Sequence, residues 1–139
     1  MEVGRKLFGD DFQQLNLKLA IVGGGKVCKA FLELLQKIPK LPEITMEILG
    51  VSDPDPDAEG LRFAEKLGIF TTSTFTDLFA IPNLDGFVEL ANDETVLLEI
   101  TRQRHPDLWV VGHDLAKVII WFIRMHGQSR AREQEVSLM

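Results

Sequence analysis

The sequence is poor in the features that announce several whole classes of protein. It has one cysteine, Cys28, in 139 residues, so no internal disulfide can form and a reducing, cytoplasmic setting is the expectation. It has no basic block. Fifteen Lys and Arg stand against 21 Asp and Glu, a net charge of -6, which is the wrong sign for a nucleic-acid footprint. The longest aliphatic-aromatic run, Val118 to Ile123, falls far short of the roughly 20 residues of a membrane helix. Met1-Glu2-Val3-Gly4-Arg5-Lys6 is not followed by the apolar core of a signal peptide, so neither secretion nor direct membrane insertion is expected. There is no zinc spacing of His and Cys, no nucleophile elbow, no internal repeat and no low-complexity tract, which leaves metal centres, acyl transfer, solenoids and disorder without support. What remains is 45% apolar and 26% charged, the composition of one globular domain with one good core.

Short apolar strands alternate with helix-like segments, the order of an α/β domain with a parallel sheet. The expected strands are Lys18 to Val22, Met46 to Val51, Ile69 to Thr72, Gly86 to Leu90 and Leu108 to Gly112. Their near-continuous Ile, Leu, Val, Phe and Met fit a doubly wound sheet of five or six strands with helices on both faces. Val27, Ala30, Phe31, Leu34 and Leu35 take the i, i+3, i+4, i+7, i+8 spacing of a helix with one buried stripe. Ala58 to Lys66 reads as a helix ending before Gly68, where a left-handed cap is free of Cβ strain. Asn92-Asp93 caps a helix running to about Gln103, and Asp114 is expected to cap a last helix, Leu115 to Met125. That last helix is apolar around much of its circumference, as a deeply packed element or half of an interface would be.

The chemistry lies where the first strand ends. Leu19-Ala20-Ile21-Val22-Gly23-Gly24-Gly25-Lys26-Val27-Cys28 runs from strand through three glycines into a helix, and Asp53 ends the second strand. This is how a Rossmann unit begins. Gly23 permits the tight turn, and Gly25 removes the side chain where backbone must meet a pyrophosphate. The helix opening at Lys26 aims free N–H groups and its positive dipole end at the phosphates, with the Lys26 charge nearby. Cys28 occupies the place of a third glycine, so its sulfur demands a smaller residue opposite or a displaced helix. Asp53 is placed to accept hydrogen bonds from ribose hydroxyls and to repel a 2'-phosphate, with Asp55 and Asp57 adding negative field, which favours NAD(H) over NADP(H). Asp55 and Asp57 themselves read as turn formers. Lys37 to Pro42 lengthens the connection from the glycines to Asp53.

Ala20 to Val27, Gly50 to Asp55, Phe75 to Phe79 and Asn83 to Val88 together resemble successive landmarks of the glucose-fructose oxidoreductase and inositol dehydrogenase family, over roughly residues 17 to 122. The resemblance implies a dinucleotide-binding Rossmann domain. In that family a Thr-Pro-Asn turn after the fourth strand meets the nicotinamide half; the matching stretch is Glu89-Leu90-Ala91-Asn92-Asp93, in which only Asn92 agrees. The family's Glu-Lys-Pro after the fifth strand supplies a catalytic lysine, where this chain has Gly112-His113-Asp114. The second, substrate-binding domain of the family is not represented. The resemblance is therefore strongest at the adenosine and pyrophosphate end and departs at the chemical end.

The expected organisation is an amphipathic segment over 1–16, a dinucleotide-binding domain over 17–126 and a polar tail or linker helix over 127–139. The expected cofactor contacts are Gly23, Gly24, Gly25, Lys26, Val27, Asp53, Ala91 and Asn92, with no catalytic or metal-binding residue assigned. Three functions fit. The first is a non-catalytic NAD(H)-binding or nucleotide-sensing module, an input domain that passes its signal to downstream signalling domains. The second is the cofactor domain of an oxidoreductase, with His113 as a candidate proton carrier. The third is a scaffold that dimerises through the last helix.

Overall fold

The computed structural model describes residues 15–37 and 43–138, with side chains as far as residue 125. Five strands form one parallel sheet: β1 (Leu15–Val22), β2 (Ile44–Ser52), β3 (Phe70–Thr72), β4 (Gly86–Glu89) and β5 (Trp109–Val111). Their order across the sheet is β3-β2-β1-β4-β5. Four helices accompany them: α1 (Lys26–Lys37), α2 (Glu59–Lys66), α3 (Glu94–Gln103) and α4 (His113–Leu138), with a 3-10 helix at Phe75–Ala80. All five expected strands are present, and the sheet is covered on both faces.

Alternation along the strands sorts the core into two layers. Leu19, Ile21 and Val88 face a cluster built from Cys28, Phe31 and Leu32 of α1, Leu61 and Ala64 of α2, and Ala116 and Ile120 of α4. Ala20, Val22 and Phe87 face the other way, toward Leu78 of the 3-10 helix and Ile100 of α3. Burial of each such Ile, Leu or Phe contributes roughly 1.5–3 kcal/mol, so the central strands β1 and β4 anchor the fold. Gly86 has a local reason of its own: a Cβ there would stand 2.4 Å from the Trp109 ring.

The helix ends follow the sequence at α2 and α3 and depart from it at both ends of α4. Gly68 has φ +79° and donates to the Glu65 carbonyl at 3.0 Å, closing α2 as expected. Asp93 caps α3, its carboxylate accepting from the N–H groups of Thr95 at 2.9 Å and Val96 at 3.3 Å. Asp114, in contrast, is not the cap of α4. The helix begins at His113, Ala116 donates to the Gly112 carbonyl at 2.9 Å, and Asp114 lies inside the first turn. Nor does α4 stop near Met125: it continues through His126 to Leu138. At the other end Leu15 and Asn16, expected in the amphipathic segment, open β1; the rest of that segment and residues 38–42 lie outside the described residues. No helix among the described residues is long and apolar enough to cross a membrane.

Candidate functional site

Strand order reverses direction at β1, whose neighbours β2 and β4 lead to opposite edges of the sheet. The crevice beyond the carboxyl ends of β1 and β4 is where sheets of this kind take ligands. Its floor is a backbone contact. Gly23 has φ +110°, and a Cβ on it would stand 2.3 Å from the Ala91 nitrogen and 2.6 Å from the Leu90 carbonyl carbon. No side chain fits there. The turns after β1 and β4 press together, bringing the expected residues Gly23 and Ala91 into contact, while Gly23 also donates to the Ser52 carbonyl at 2.9 Å.

Gly24 is held from two sides. Its N–H donates to Asp53 Oδ2 at 2.8 Å, and its carbonyl accepts from the Leu61 N–H at 2.9 Å. Asp53 Oδ1 accepts from the Asp55 N–H at 2.9 Å. Asp53 thus stands at the end of β2 and clips the glycine turn to the β2–α2 loop; each carboxylate oxygen keeps a further lone pair for another donor. Asp55 repeats the pattern, accepting from Asp57 at 2.9 Å, and Asp57 pairs with Arg62 at the surface.

Gly25 differs from its neighbours. Its φ lies outside the left-handed region, and nothing stands within 4 Å of where its Cβ would be. Neither conformation nor packing within the chain requires a glycine at this position. Immediately after it, α1 opens with Lys26 and has no acid in its first turn, whereas α2, α3 and α4 carry Glu59, Glu94 and Asp114 there. A cation at a helix N-terminus opposes the helix dipole, and an anion bound there relieves that opposition. The side chains of Lys26 and Val27 line a shallow groove of about 280 Å³ between α1 and α4, with Ala30, Lys117, Ile120, Trp121 and Arg124.

Cys28 is fully buried, and the smaller residue its sulfur demands is Gly60. A Cβ on Gly60 would meet Cys28 Cβ at 2.7 Å and the Gly25 and Gly24 carbonyls at 2.7 and 2.8 Å. The role of the missing third glycine has passed to α2. Burial, and then the Asp53 carboxylate, push the Cys28 thiol up to about 12, so it is held as the unreactive thiol at neutral pH.

The far side of the crevice carries a pair that sequence reasoning missed. Glu89, the last residue of β4, is fully buried. Its Oε1 accepts from the His113 backbone N–H at 3.2 Å and from His113 Nδ1, and its Oε2 accepts from the Asp93 N–H at 3.2 Å. One carboxylate therefore ties the β4–α3 turn to the start of α4. His113 Nε2 faces Glu94 at 3.4 Å and Asp114 at 4.0 Å. The hydrogen bond to Glu89 and the fields of Glu89, Asp114 and Glu94 raise the His113 pKa against the opposing effect of burial. Neighbouring parallel strands β4 and β5, the first ending in Glu89 and the second followed two residues on by His113, were the available signal. The turn between has Asn92 at φ +57°, a conformation Asn tolerates better than most residues; Ala91 and Asn92 are both exposed. Among the described residues no cluster of three His, Cys, Asp or Glu could hold a metal.

With this geometry in view, the likeness to solved structures is informative. The chain superposes on a myo-inositol dehydrogenase from Corynebacterium glutamicum ATCC 13032 with a TM-score of 0.55 and 22% identity, over 70% of this chain and 28% of that one. It has the Rossmann fold. GenD2 from gentamicin A biosynthesis, determined in complex with NAD, matches with a TM-score of 0.52 and 22% identity, over 72% of this chain and 27% of that one. The chain thus spans little more than a quarter of either neighbour. No family model matches it, and no curated protein matches it significantly.

Proposed function

We propose that this chain is an NAD(H)-binding, nucleotide-sensing module with no hydride chemistry of its own. Gly25 carries the reading: it is a glycine that the protein itself does not need, facing open space at the mouth of the crevice. A pyrophosphate approaching the backbone needs that space. The N-terminus of α1, with Lys26 and no acid in its first turn, supplies positive potential, and Asp53 stands at the ribose side with acceptor capacity left over. NAD(H) is preferred to NADP(H) because Asp53, Asp55 and Asp57 would repel a 2'-phosphate. The NAD complex of a structural neighbour supports the ligand class. Ala91 and Asn92 line the nicotinamide side. Beyond them the position of the family lysine holds His113, whose Nδ1 is held by Glu89 and whose Nε2 faces Glu94 and Asp114; it is the replacement of the lysine, and not the closure of the ring, that favours sensing over hydride chemistry. In the cytoplasmic setting proposed here, α4 would carry the output to downstream domains.

The test is calorimetric titration of the chain with NAD, NADH and NADP, paired with thermal shift. Saturable binding of NAD or NADH that raises the melting temperature, lost in Gly25→Val with the fold unchanged, is the expected result. No binding of any of the three at millimolar concentration would overturn the reading. A second reading, the cofactor domain of an oxidoreductase completed elsewhere, draws on the match to only a quarter of each dehydrogenase-like neighbour. It requires His113-dependent hydride transfer from labelled NADH to a polyol or sugar.

A further inference from the structure

The groove of about 280 Å³ between α1 and α4 reaches beyond the proposed nucleotide contacts. Lys26 stands on its α1 wall and Lys117 and Arg124 on its α4 wall, while Val27, Ile120 and Trp121 give it apolar surface. No acid lines it. That is anomalous in a chain of net charge -6, and the anomaly extends along the sequence: of 21 Asp and Glu, none falls between Asp114 and Glu133. Arginines elsewhere have partners. Arg62 pairs with Asp57 and Arg102 with Glu99, and Arg104 donates to the Pro106 and Leu108 carbonyls. Among the described residues Lys26, Lys117 and Arg124 have no ion pair or hydrogen-bonded side-chain partner. Three cations set around one groove without a counter-charge repel one another, and an anion placed between them relieves that repulsion. The Trp121 ring beside them is 60% exposed.

From this we infer that the α1–α4 groove takes an acidic segment of a partner protein, with its carboxylates among Lys26, Lys117 and Arg124 and an apolar or aromatic side chain against Trp121, Val27 and Ile120. Charge complementarity sets the sign of the occupant. It does not suffice alone, because ion pairs exposed to water are each worth little, so the apolar wall must contribute to any useful affinity. A small inorganic anion leaves that wall uncovered. A bilayer is flat, and it cannot follow a groove down to the buried Ile120. A peptide satisfies both the charge and the wall, as segments laid in grooves between helices do. Lys117 and Arg124 lie two turns apart on one side of α4, about 10 Å along its axis, and an extended chain covers that distance in about three residues. The fitting segment therefore carries two acids about three residues apart with an apolar side chain between them. The inference is independent of the nucleotide reading.

Fluorescence anisotropy tests it, with a fluorescein-labelled random copolymer of glutamate and tyrosine as the probe and the full chain titrated to about 1 mM. The expected result is saturable binding that weakens as salt is raised and is at least about tenfold weaker in Lys117→Glu/Arg124→Glu, with far-UV circular dichroism and the NAD titration unchanged. Lys26 is left intact because it belongs to the proposed nucleotide site as well. Trp121→Ala must also weaken binding, by at least about threefold, an effect that a purely electrostatic patch would not show. Should the charge-reversed pair impair folding, Lys117→Gln/Arg124→Gln must still lower the affinity in the same direction. Absence of copolymer binding by the wild type overturns the inference, and so does binding that the charge variants or Trp121→Ala leave unchanged. Displacement of the copolymer by an equal or lower concentration of phosphatidylserine vesicles or of tripolyphosphate overturns it too, since the groove then belongs to a lipid surface or to a small anion.

Discussion

The two sides of the crevice are built on opposite plans. On the β1 side the work is done by backbone: Gly23 pressed on Ala91, Gly24 clipped by Asp53, and Gly25 facing open space. On the β4–β5 side the work is done by buried side chains, with Glu89 satisfying three donors from Asp93 and His113. With Gly23 and Gly24 donating within the chain, it is the first-turn N–H groups of α1, beside the bare Gly25, that are suited to receive an anion. A buried carboxylate that accepts from the Asp93 N–H, the His113 N–H and the His113 ring is suited to hold two helix starts in place. The contrast teaches that binding and reaction are separable in this fold, because the first needs only the turn after β1 and the second needs free side chains after β4 and β5.

The largest effect that would break this contrast is at Gly23. Gly23→Ala combines a left-handed φ with backbone overlap at 2.3 Å, and a loss of about 4 kcal/mol or more is expected; urea unfolding measures it, and a loss under about 1 kcal/mol would refute the close approach. On the other side, Glu89→Ala strands the donors of Asp93 and His113. It should cost on the order of 3 kcal/mol, with Glu89→Gln recovering part of it. Asp53→Ala comes next, at about 2 kcal/mol for two hydrogen bonds to a carboxylate. It is therefore not a clean probe of ligand binding, since it loosens the glycine turn as well.

The pH dependence sharpens the same comparison. His113 has its folded pKa raised above the usual 6.5, so its contribution to stability is fully present below about pH 6.5 and is lost as pH rises through the folded value. Thermal melts from pH 6 to 9 should decline over that window in the wild type, and His113→Gln should flatten the decline; an unchanged profile would remove His113 from the account. The smallest structural effect is expected at Gly25→Ala. With no neighbour within 4 Å, it should shift stability by less than about 1 kcal/mol, yet weaken NAD binding more than Asp53→Asn does.

Strands and turn were legible in the sequence because both are local. A parallel strand buried on two faces writes itself as a continuous apolar run, and a strand followed by Gly-Gly-Gly and a helical stripe leaves little choice of turn. Glu89 was not legible, since its partner His113 is 24 residues away and a lone glutamate within the expected strand Gly86 to Leu90 gives no sign of what it ties. The start of α4 was misread for a related reason: His113-Asp114 has the composition of a cap, while the actual flanking carbonyl is that of Gly112. The demand for a small residue opposite Cys28 could be stated from the sequence, but its location at Gly60 required the packing of α2 on the glycine turn.

The most direct test of the central claim is a map of backbone amide shifts by 15N-edited NMR as NAD is added to the wild-type chain. The account predicts saturable changes at Gly24, Gly25, Lys26, Val27, Asp53, Ala91 and Asn92, with Val118 and Met125 of α4 unmoved. Changes confined to the α1–α4 groove around Lys117 and Trp121, or none at saturating ligand, would contradict it.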